Sequence, residues 1–221
     1  MGIVIMITGY LKEIYSKENI RNYFHRNRNY ILLVIIIFIA AVLAGYVFKD
    51  AFKDMVMESI RNMINNIQGD TFSITISIFL NNLKVAMIII LLGFLFSIFS
   101  FLILFTNGVV IGFMFSLVPA PLMLIYTIPH GIFEIPQLIL TVVCSMLVTK
   151  LEINLIKGVL QKDKTFKGEL RNSSTIIKDI ILSITIIVVC LIIAAVIEGY
   201  ITPVIGGYLT NLLGLNFTNG L

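Results

Sequence analysis

The stretch from Tyr30 to Phe48 constrains this chain more than any other, because it is almost entirely apolar and carries no charged side chain. A helix of this length is just long enough to cross the hydrocarbon core of a bilayer. Similar apolar runs recur along the chain. Hydrophobic residues make up 58% of the sequence and charged residues 13%, against about 25% charged residues in a soluble domain. The sequence therefore predicts an all-α, polytopic membrane protein.

Five apolar segments have the length and composition of transmembrane helices. They lie near residues 30–48, 82–105, 109–127, 129–149 and 179–201. Between the first two, apolar residues recur with helical spacing, which predicts an amphipathic helix over residues 49–68. The spans together form one membrane domain at residues 30–203, followed by a Gly- and Asn-rich tail at residues 204–221.

The links between the predicted spans contain residues typical of turns and helix breaks. Asn107-Gly108 predicts a tight turn between the second and third spans. Pro119 and Pro121 interrupt the third span, because proline lacks an N–H group and cannot continue the hydrogen-bond ladder of a helix. We therefore expect the third span to be kinked or broken near the middle of the membrane.

Basic residues are concentrated in two segments. The amphipathic N-terminal segment, residues 1–29, and the loop at residues 150–178 together carry twelve of the sixteen Lys and Arg residues. The positive-inside rule places both segments in the cytoplasm. We therefore expect a multi-pass protein of the cell membrane with a cytoplasmic N-terminus and an extracytoplasmic C-terminus. This charge pattern indicates membrane topology and does not suggest a nucleic-acid-binding surface.

Small residues recur at regular intervals in the second and third predicted spans. Such residues allow membrane helices to approach closely. In the second span they are seven residues apart: Ala86, Gly93, Ser100 and Asn107. In the third span they are four residues apart: Gly108, Gly112 and Ser116. Both patterns predict helix–helix contact along one face.

The fourth predicted span carries polar side chains along one face. At about 100° per residue, seven of them fall within one arc of the helix: His130, Glu134, Gln137, Thr141, Cys144, Ser145 and Thr149. A polar face of this kind must point at other helices or at a cavity, not at lipid. Glu198 is a second intramembrane carboxylate and lies near the outer end of the fifth span. We expect His130, Glu134 and Glu198 to be neighbours at similar depth.

Several interpretations of this cluster remain open. The three side chains could form a buried hydrogen-bonded lock between the fourth and fifth spans. They could belong to a proton or solute path that uses the polar face and the proline break. They could bind a metal ion if all three converge, since His25 lies on the other side of the membrane. An intramembrane metalloprotease is disfavoured because the H-E-x-x-H motif is absent. No cofactor is expected, and Cys144 and Cys190 are expected to be free thiols.

Four short segments, in this order, resemble the pattern of a known family. They are Phe79-Leu80-Asn81-Asn82, Thr106-Asn107-Gly108, Pro129-His130-Gly131-Ile132-Phe133-Glu134 and Glu198-Gly199-Tyr200-Ile201-Thr202-Pro203. On these residues the chain resembles the stage II sporulation protein M family. The residues that match the family pattern are Asn81 or Asn82, Asn107, Gly108, His130, Gly131, Glu134, Glu198 and Pro203.

The resemblance implies a multi-spanning membrane protein without enzymatic activity. One family member, in spore-forming bacteria, anchors a cell-wall-remodelling complex during engulfment and serves as a scaffold for other proteins. We therefore expect this chain to be a scaffold for envelope or membrane protein assembly. Its expected partners are the lipid bilayer and other membrane or envelope proteins, and self-association into a homo-oligomer is an alternative. A small permease, or the membrane subunit of a transporter, is the competing function.

Overall fold

The fold is an α-helical bundle, seen here in a computed structural model. It describes residues 2–65, 70–161 and 165–212, with side chains described for residues 8–58 of the first range. Within these ranges the α-helices are α1 (Gly2–Ile14), α2 (Lys17–Val47), α3 (Lys49–Asn65), α4 (Thr71–Leu91), α5 (Ile98–Leu117), α6 (Ala120–Leu160), α7 (Phe166–Asn172), α8 (Ser174–Val196) and α9 (Thr202–Leu212). A 3₁₀ turn, Leu92–Leu95, follows α4, and a π-helical turn, Ile197–Ile201, joins α8 to α9.

Five helical stretches in the described residues are long and apolar enough to cross a membrane. They are Lys17–Val47, Thr71–Leu95, Ile98–Leu117, Ala120–Leu160 and Ser174–Leu212. The predicted fold class, an all-α protein with about five transmembrane helices, is confirmed.

Helix α6 lies at the centre of the bundle and is the most buried of the five spans. It contacts α2, α4, α5, α7, α8 and α9. Helix α4 runs parallel to α6, because Asn82 lies beside Glu134 and Gly93 lies beside Ser145. Helix α8 runs antiparallel to α6, so that its beginning lies beside the end of α6.

Helices α2 and α5 are parallel and pack at very short range through glycines. A Cβ atom added at Gly108 would lie 2.6 Å from the Ala41 side chain. A Cβ atom at Gly112 would overlap the carbonyl oxygen of Val42, and one at Gly45 would overlap that of Val109. The backbones therefore approach so closely that no larger residue fits at these positions.

Helix α3 corresponds to the predicted amphipathic helix and folds back onto the α2–α5 pair. Its Val56 is fully buried and belongs to a cluster with Ala41, Val109 and Phe113. Phe52 packs against the same cluster. Residues 66–68 of the predicted helix lie outside the described residues.

The predicted second span, residues 82–105, is in fact divided between two helices. The chain turns at Phe96 and Ser97, which have φ angles of 55° and 58°. Hydropathy cannot reveal this turn, because Phe94–Phe96 and the start of α5 are as apolar as the helices themselves. The predicted turn at Asn107-Gly108 is wrong. Both residues lie inside α5, where the Asn107 side chain donates to the Ile103 carbonyl at 2.8 Å.

The predicted proline break is displaced from the middle of a span to a junction between two helices. Pro119 precedes α6 as its cap and Pro121 lies in its first turn, where the missing N–H has no helical partner to lose. The helix predicted over residues 129–149 is much longer, Ala120–Leu160, and contains Pro129 and Pro136. These two prolines leave α6 continuous.

The N-terminal basic segment is not separate from the first span. Helix α2 begins at Lys17 and continues through the apolar stretch to Val47, and its Tyr23 and Asn27 are buried. The predicted loop at residues 150–178 contains the end of α6 and the short helix α7. The predicted tail begins as helix α9, and its residues 213–221 lie outside the described residues.

Replacing Gly112 by alanine should destabilise the protein, because the added methyl group overlaps the Val42 carbonyl oxygen. Overpacking of this kind costs about 1–3 kcal/mol, which corresponds to roughly 2–4 °C per kcal/mol in a chain of this size. Thermal unfolding of the purified protein in detergent measures the change.

Gly207→Ala is the matched control, because a Cβ atom at Gly207 meets nothing within 4 Å and alanine favours a helix more than glycine does. An equal loss of melting temperature in both variants would contradict the proposed close contact between α2 and α5.

Candidate functional site

Glu134 of α6 is joined to α4 by a hydrogen bond. The Asn82 side-chain amide donates to Glu134 Oε1 at 2.9 Å. The second carboxylate oxygen lies 3.9 Å from His130 Nε2, one helical turn earlier. The Glu134 side chain remains 30% exposed, so these contacts do not enclose it.

Glu198 approaches Glu134 from the π-helical turn between α8 and α9. The two carboxylates are close enough to interact electrostatically. The neighbouring residue, Gly199, packs against α4 so tightly that an added Cβ atom would overlap the hydroxyl of Thr75. Single π-helical turns are rare and are frequent at functional sites. The turn therefore packs on both α4 and α6 and carries Glu198 next to this contact.

The predicted trio does not form a metal site. Among the described residues, no group of three His, Cys, Asp or Glu side chains could hold a metal ion. His130 Nδ1 is buried and has no hydrogen-bond partner in the described structure, and the same is true of the Thr202 hydroxyl. Pro203, next to Thr202, is exposed. The arrangement pairs one histidine with one carboxylate and leaves a second carboxylate nearby.

A small cleft opens beside Glu134, between α4, α5 and α6. Its volume is about 110 Å³. Four polar side chains line it: Asn82, Asn107, Glu134 and Gln137. Apolar side chains complete the walls, among them Val85, Ile111 and Leu138. Three of the helices that carry the family pattern therefore meet at one cleft.

Below the cleft, the polar face of α6 is dry. Thr141 and Ser145 are fully buried. The Gln137 amide donates to the Thr141 hydroxyl at 2.9 Å, and the Ser145 hydroxyl bonds to Ser100 and Ser97 of the α4–α5 turn at 2.7 and 2.9 Å. The polar face is thus accessible at Glu134, closed at Thr141 and Ser145, and lines a second cleft at Thr149.

The small residues contact two different partner helices. Gly93 packs against α6, where an added Cβ atom would lie 2.6 Å from the Ser145 carbonyl oxygen, whereas Gly108 and Gly112 pack against α2. Gly131 is buried but has room for a side chain, since the nearest atom to an added Cβ is at 3.6 Å. Asn81 is exposed, so of the two adjacent asparagines Asn82 serves the cleft.

Comparison with known proteins matches residues 33–203 to the family model described as stage II sporulation protein M. The chain belongs to the stage II sporulation protein M family. Two relatives come from Methanocaldococcus jannaschii. Uncharacterized protein MJ0706 is 26% identical over 210 residues, which cover 90% of this chain and 94% of the relative. Uncharacterized protein MJ0793 is 31% identical over 179 residues, which cover 78% and 93%. No solved structure matches the chain.

This member of the stage II sporulation protein M family has a second polar cluster that sequence reasoning missed. Asp179 of α8 is 3% exposed and accepts from the Arg26 guanidinium through both carboxylate oxygens, at 2.5 and 3.2 Å. The Asn27 amide donates to the same carboxylate at 3.0 Å. The cluster joins the beginning of α2 to the beginning of α8.

A sequence signal for this cluster did exist. Asp179 is the acidic residue at the start of the longest uncharged run of α8, and Arg26 and Asn27 precede the uncharged run of α2. A charge at such a boundary is usually solvated, so only the folded structure distinguishes a buried pair from two topology-determining charges. Tyr23 and Ser183, whose hydroxyls lie 2.8 Å apart, extend the same contact.

Replacing Asp179 by asparagine should destabilise this protein, although the two side chains have the same size and shape. The substitution replaces one carboxylate oxygen by an NH2 group, which cannot accept from Arg26 or Asn27. A lost hydrogen bond to a charged group costs about 1.5–3 kcal/mol. Thermal unfolding in detergent measures the loss. Glu13→Gln is the matched control, because the Glu13–Lys178 ion pair lies at the surface with Glu13 62% exposed, and such pairs contribute about 1 kcal/mol or less. If the two variants unfold alike, the buried cluster does not hold α2 to α8.

Proposed function

We propose that this multi-pass membrane protein is a non-enzymatic scaffold that assembles other membrane or envelope proteins. The single observation that carries the proposal is the dry, hydrogen-bonded part of the polar face of α6. A scaffold needs a rigid bundle with its polar groups bonded internally, whereas a permease needs a hydrated path past them.

The buried side chains support this choice over transport. Thr141 and Ser145 have no exposed surface, and Thr149 bonds to the Gly93 carbonyl at 2.6 Å. A continuous path from the cleft at Glu134 to the other end of α4 would have to run through these groups. The prolines that were expected to open the third span lie instead between α5 and α6.

The family relationship supports the same function more broadly. The role that the family resemblance implies is that of the member in spore-forming bacteria, which anchors other proteins at the membrane. The two relatives from Methanocaldococcus jannaschii carry no assigned role. The scaffold proposal therefore rests on the internal bonding of the bundle and on the family.

Co-purification from native membranes tests the scaffold. The protein, tagged at its N-terminus, is extracted in mild detergent and its companions are quantified by mass spectrometry. We expect at least one envelope protein at a fixed ratio to the scaffold in independent preparations. The same partner should be retained by Glu134→Gln, since this variant keeps the dry part of α6 intact.

Vesicles that contain the purified protein provide the opposing measurement. A scaffold should leave the proton permeability of these vesicles equal to that of empty ones. The scaffold proposal would be wrong if the protein purifies alone and conducts protons, and if Glu134→Gln and Glu198→Gln each abolish that flux. The protein would then be a permease.

We also propose that the N-terminus and the segment at residues 150–178 lie in the cytoplasm and that the end of α9 lies outside the cell membrane. The distribution of Lys and Arg residues supports this orientation. With five crossings, the beginning of α2 and the end of α9 would lie on opposite sides of the membrane.

Reporter fusions test the orientation. A fluorescent protein that folds only in the cytoplasm should be active at the N-terminus and after Gln161, and a phosphatase that folds only outside should be active after Leu212. The reverse pattern at all three positions would invert the topology, and cytoplasmic signals at both ends would contradict the five crossings.

A further inference from the structure

We propose that the cleft at Glu134 receives Lys84 from a second copy of this chain, so that copies associate head to tail in the membrane. This inference goes beyond the scaffold role, because copies can associate whether or not they hold other proteins. It follows from the charges that the described structure leaves unpaired within the membrane-spanning helices.

The cleft offers hydrogen-bond acceptors to an incoming group. The amide nitrogens of its three amide side chains are used internally: Asn82 donates to Glu134, Gln137 to Thr141 and Asn107 to Ile103. The atoms that remain are the amide oxygens and Glu134 Oε2, whose ion-pair partner within the described residues is His130 Nε2, at 3.9 Å. Such a site suits a cationic donor.

Lys84 is the matching group. It is exposed on α4, and no acidic side chain in the described residues forms an ion pair with it. Exposed apolar side chains surround it on the same face of α4: Leu80, Met87, Ile88 and Leu91. An unpaired cation on an apolar, membrane-spanning face is costly in lipid and gains from a carboxylate partner.

Lys84 cannot reach the cleft of its own chain. Asn82 lines the cleft, and Lys84 lies two residues further along the same helix, which turns it by about 200°. The two groups therefore point to opposite sides of α4. The cation and the carboxylate can be paired only between different copies.

The two groups lie at the same depth, which is what association within one membrane requires. Asn82 touches Glu134, and Lys84 is about 3 Å further along the axis of α4. A lysine on a helix leans back towards the N-terminus, which brings its ammonium group to the level of Glu134. Copies inserted in the same direction keep this match in depth however they are rotated in the plane of the membrane.

The positions of the two groups determine the type of assembly. The donor face and the cleft lie on opposite sides of α4, so one interface cannot contain both pairings and a two-fold dimer is excluded. Each copy would give Lys84 to one neighbour and accept Lys84 from another. Contacts of this heterologous kind close into a ring when the rotation permits, and we expect a ring of at least three copies.

Charge reversal tests the pairing in the full-length protein, with native mass spectrometry of the detergent-purified or nanodisc-embedded chain as the readout. We expect the wild type to form oligomers. Lys84→Glu and Glu134→Lys should each raise the concentration needed for association by at least about tenfold. Arg28→Glu, which changes the same charge at an exposed position of α2, should leave association unchanged.

Mixing the two reversed variants gives the sharpest result. Lys84→Glu chains keep a negative cleft and carry a negative face, and Glu134→Lys chains carry a positive cleft and a positive face. Neither variant pairs with itself, but each complements the other on both sides. We therefore expect the equimolar mixture to form oligomers in which the two differently tagged chains alternate, with an even number of copies in any closed ring, and the doubly reversed chain to associate alone.

Lys84→Gln tests the pairing without changing Glu134, whose replacement could disturb folding. Lys84 is exposed, and its replacement disturbs no internal contact in the described structure. A monomeric wild type in nanodiscs would overturn the pairing, and so would oligomers that Lys84→Gln and Lys84→Glu leave unchanged. Failure of the mixed variants to associate, with Lys84→Glu folded as judged by its melting temperature, would also overturn it. The co-purified partners of the scaffold test remain a separate readout.

Discussion

Lipid cannot hydrogen-bond the polar side chains that α6 carries through an apolar bundle, so neighbouring helices must do so. The α4–α5 turn serves this need, because Ser97 and Ser100 bond to Ser145. To make that turn, Phe96 and Ser97 adopt positive φ angles, at a cost of order 1–3 kcal/mol each. The internal bonds and the close contact of Gly93 with α6 offset this strain. The path of α4 and α5 thus depends on the polar face of α6.

The two ends of the bundle use polar groups in opposite ways. At the end where α2 and α8 begin, Asp179 is buried and bonded to Arg26 and Asn27. A buried carboxylate with all its partners within the chain has a structural role and is closed to other molecules. At the other end, Glu134 has one hydrogen bond and a cleft beside it. The difference in accessibility, not in residue type, identifies Glu134 rather than Asp179 as the carboxylate that a further molecule can reach.

Apolar composition predicted the class of fold and the number of spans, because lipid imposes length and hydropathy on every crossing helix. It did not predict where the chain turns. Asn107-Gly108 is typical of a turn in water, but in α5 the asparagine amide bonds to Ile103 and the glycine lets α2 approach. The real turn at Phe96 and Ser97 contains neither glycine nor proline. This turn instead depends on the bonds of the Ser97 side chain to Ser145 and Thr149, which are distant in sequence.

The candidate site could be predicted only in part for a related reason. Helical periodicity indicated that His130 and Glu134 share a face and that this face must meet other helices. It could not show which partner each residue has. Asn82 was one of two adjacent asparagines, and only the parallel packing of α4 on α6 selects it. Lys84 lies in the predicted second span, but its direction relative to the cleft follows only from the fold.

The π-helical turn at Ile197–Ile201 allows α8 and α9 to pack against different parts of the bundle. One additional residue in a turn rotates everything after it by about 100° relative to a regular α-helix. Before the turn, α8 packs on α6 and α4. After it, Gly206 of α9 packs against the ring of Tyr126 at the beginning of α6. Within the turn, Gly199 fits against Thr75 of α4. A regular helix would rotate one of these contacts out of place, so the local irregularity is what allows Gly199 to pack on α4 while Gly206 packs on Tyr126.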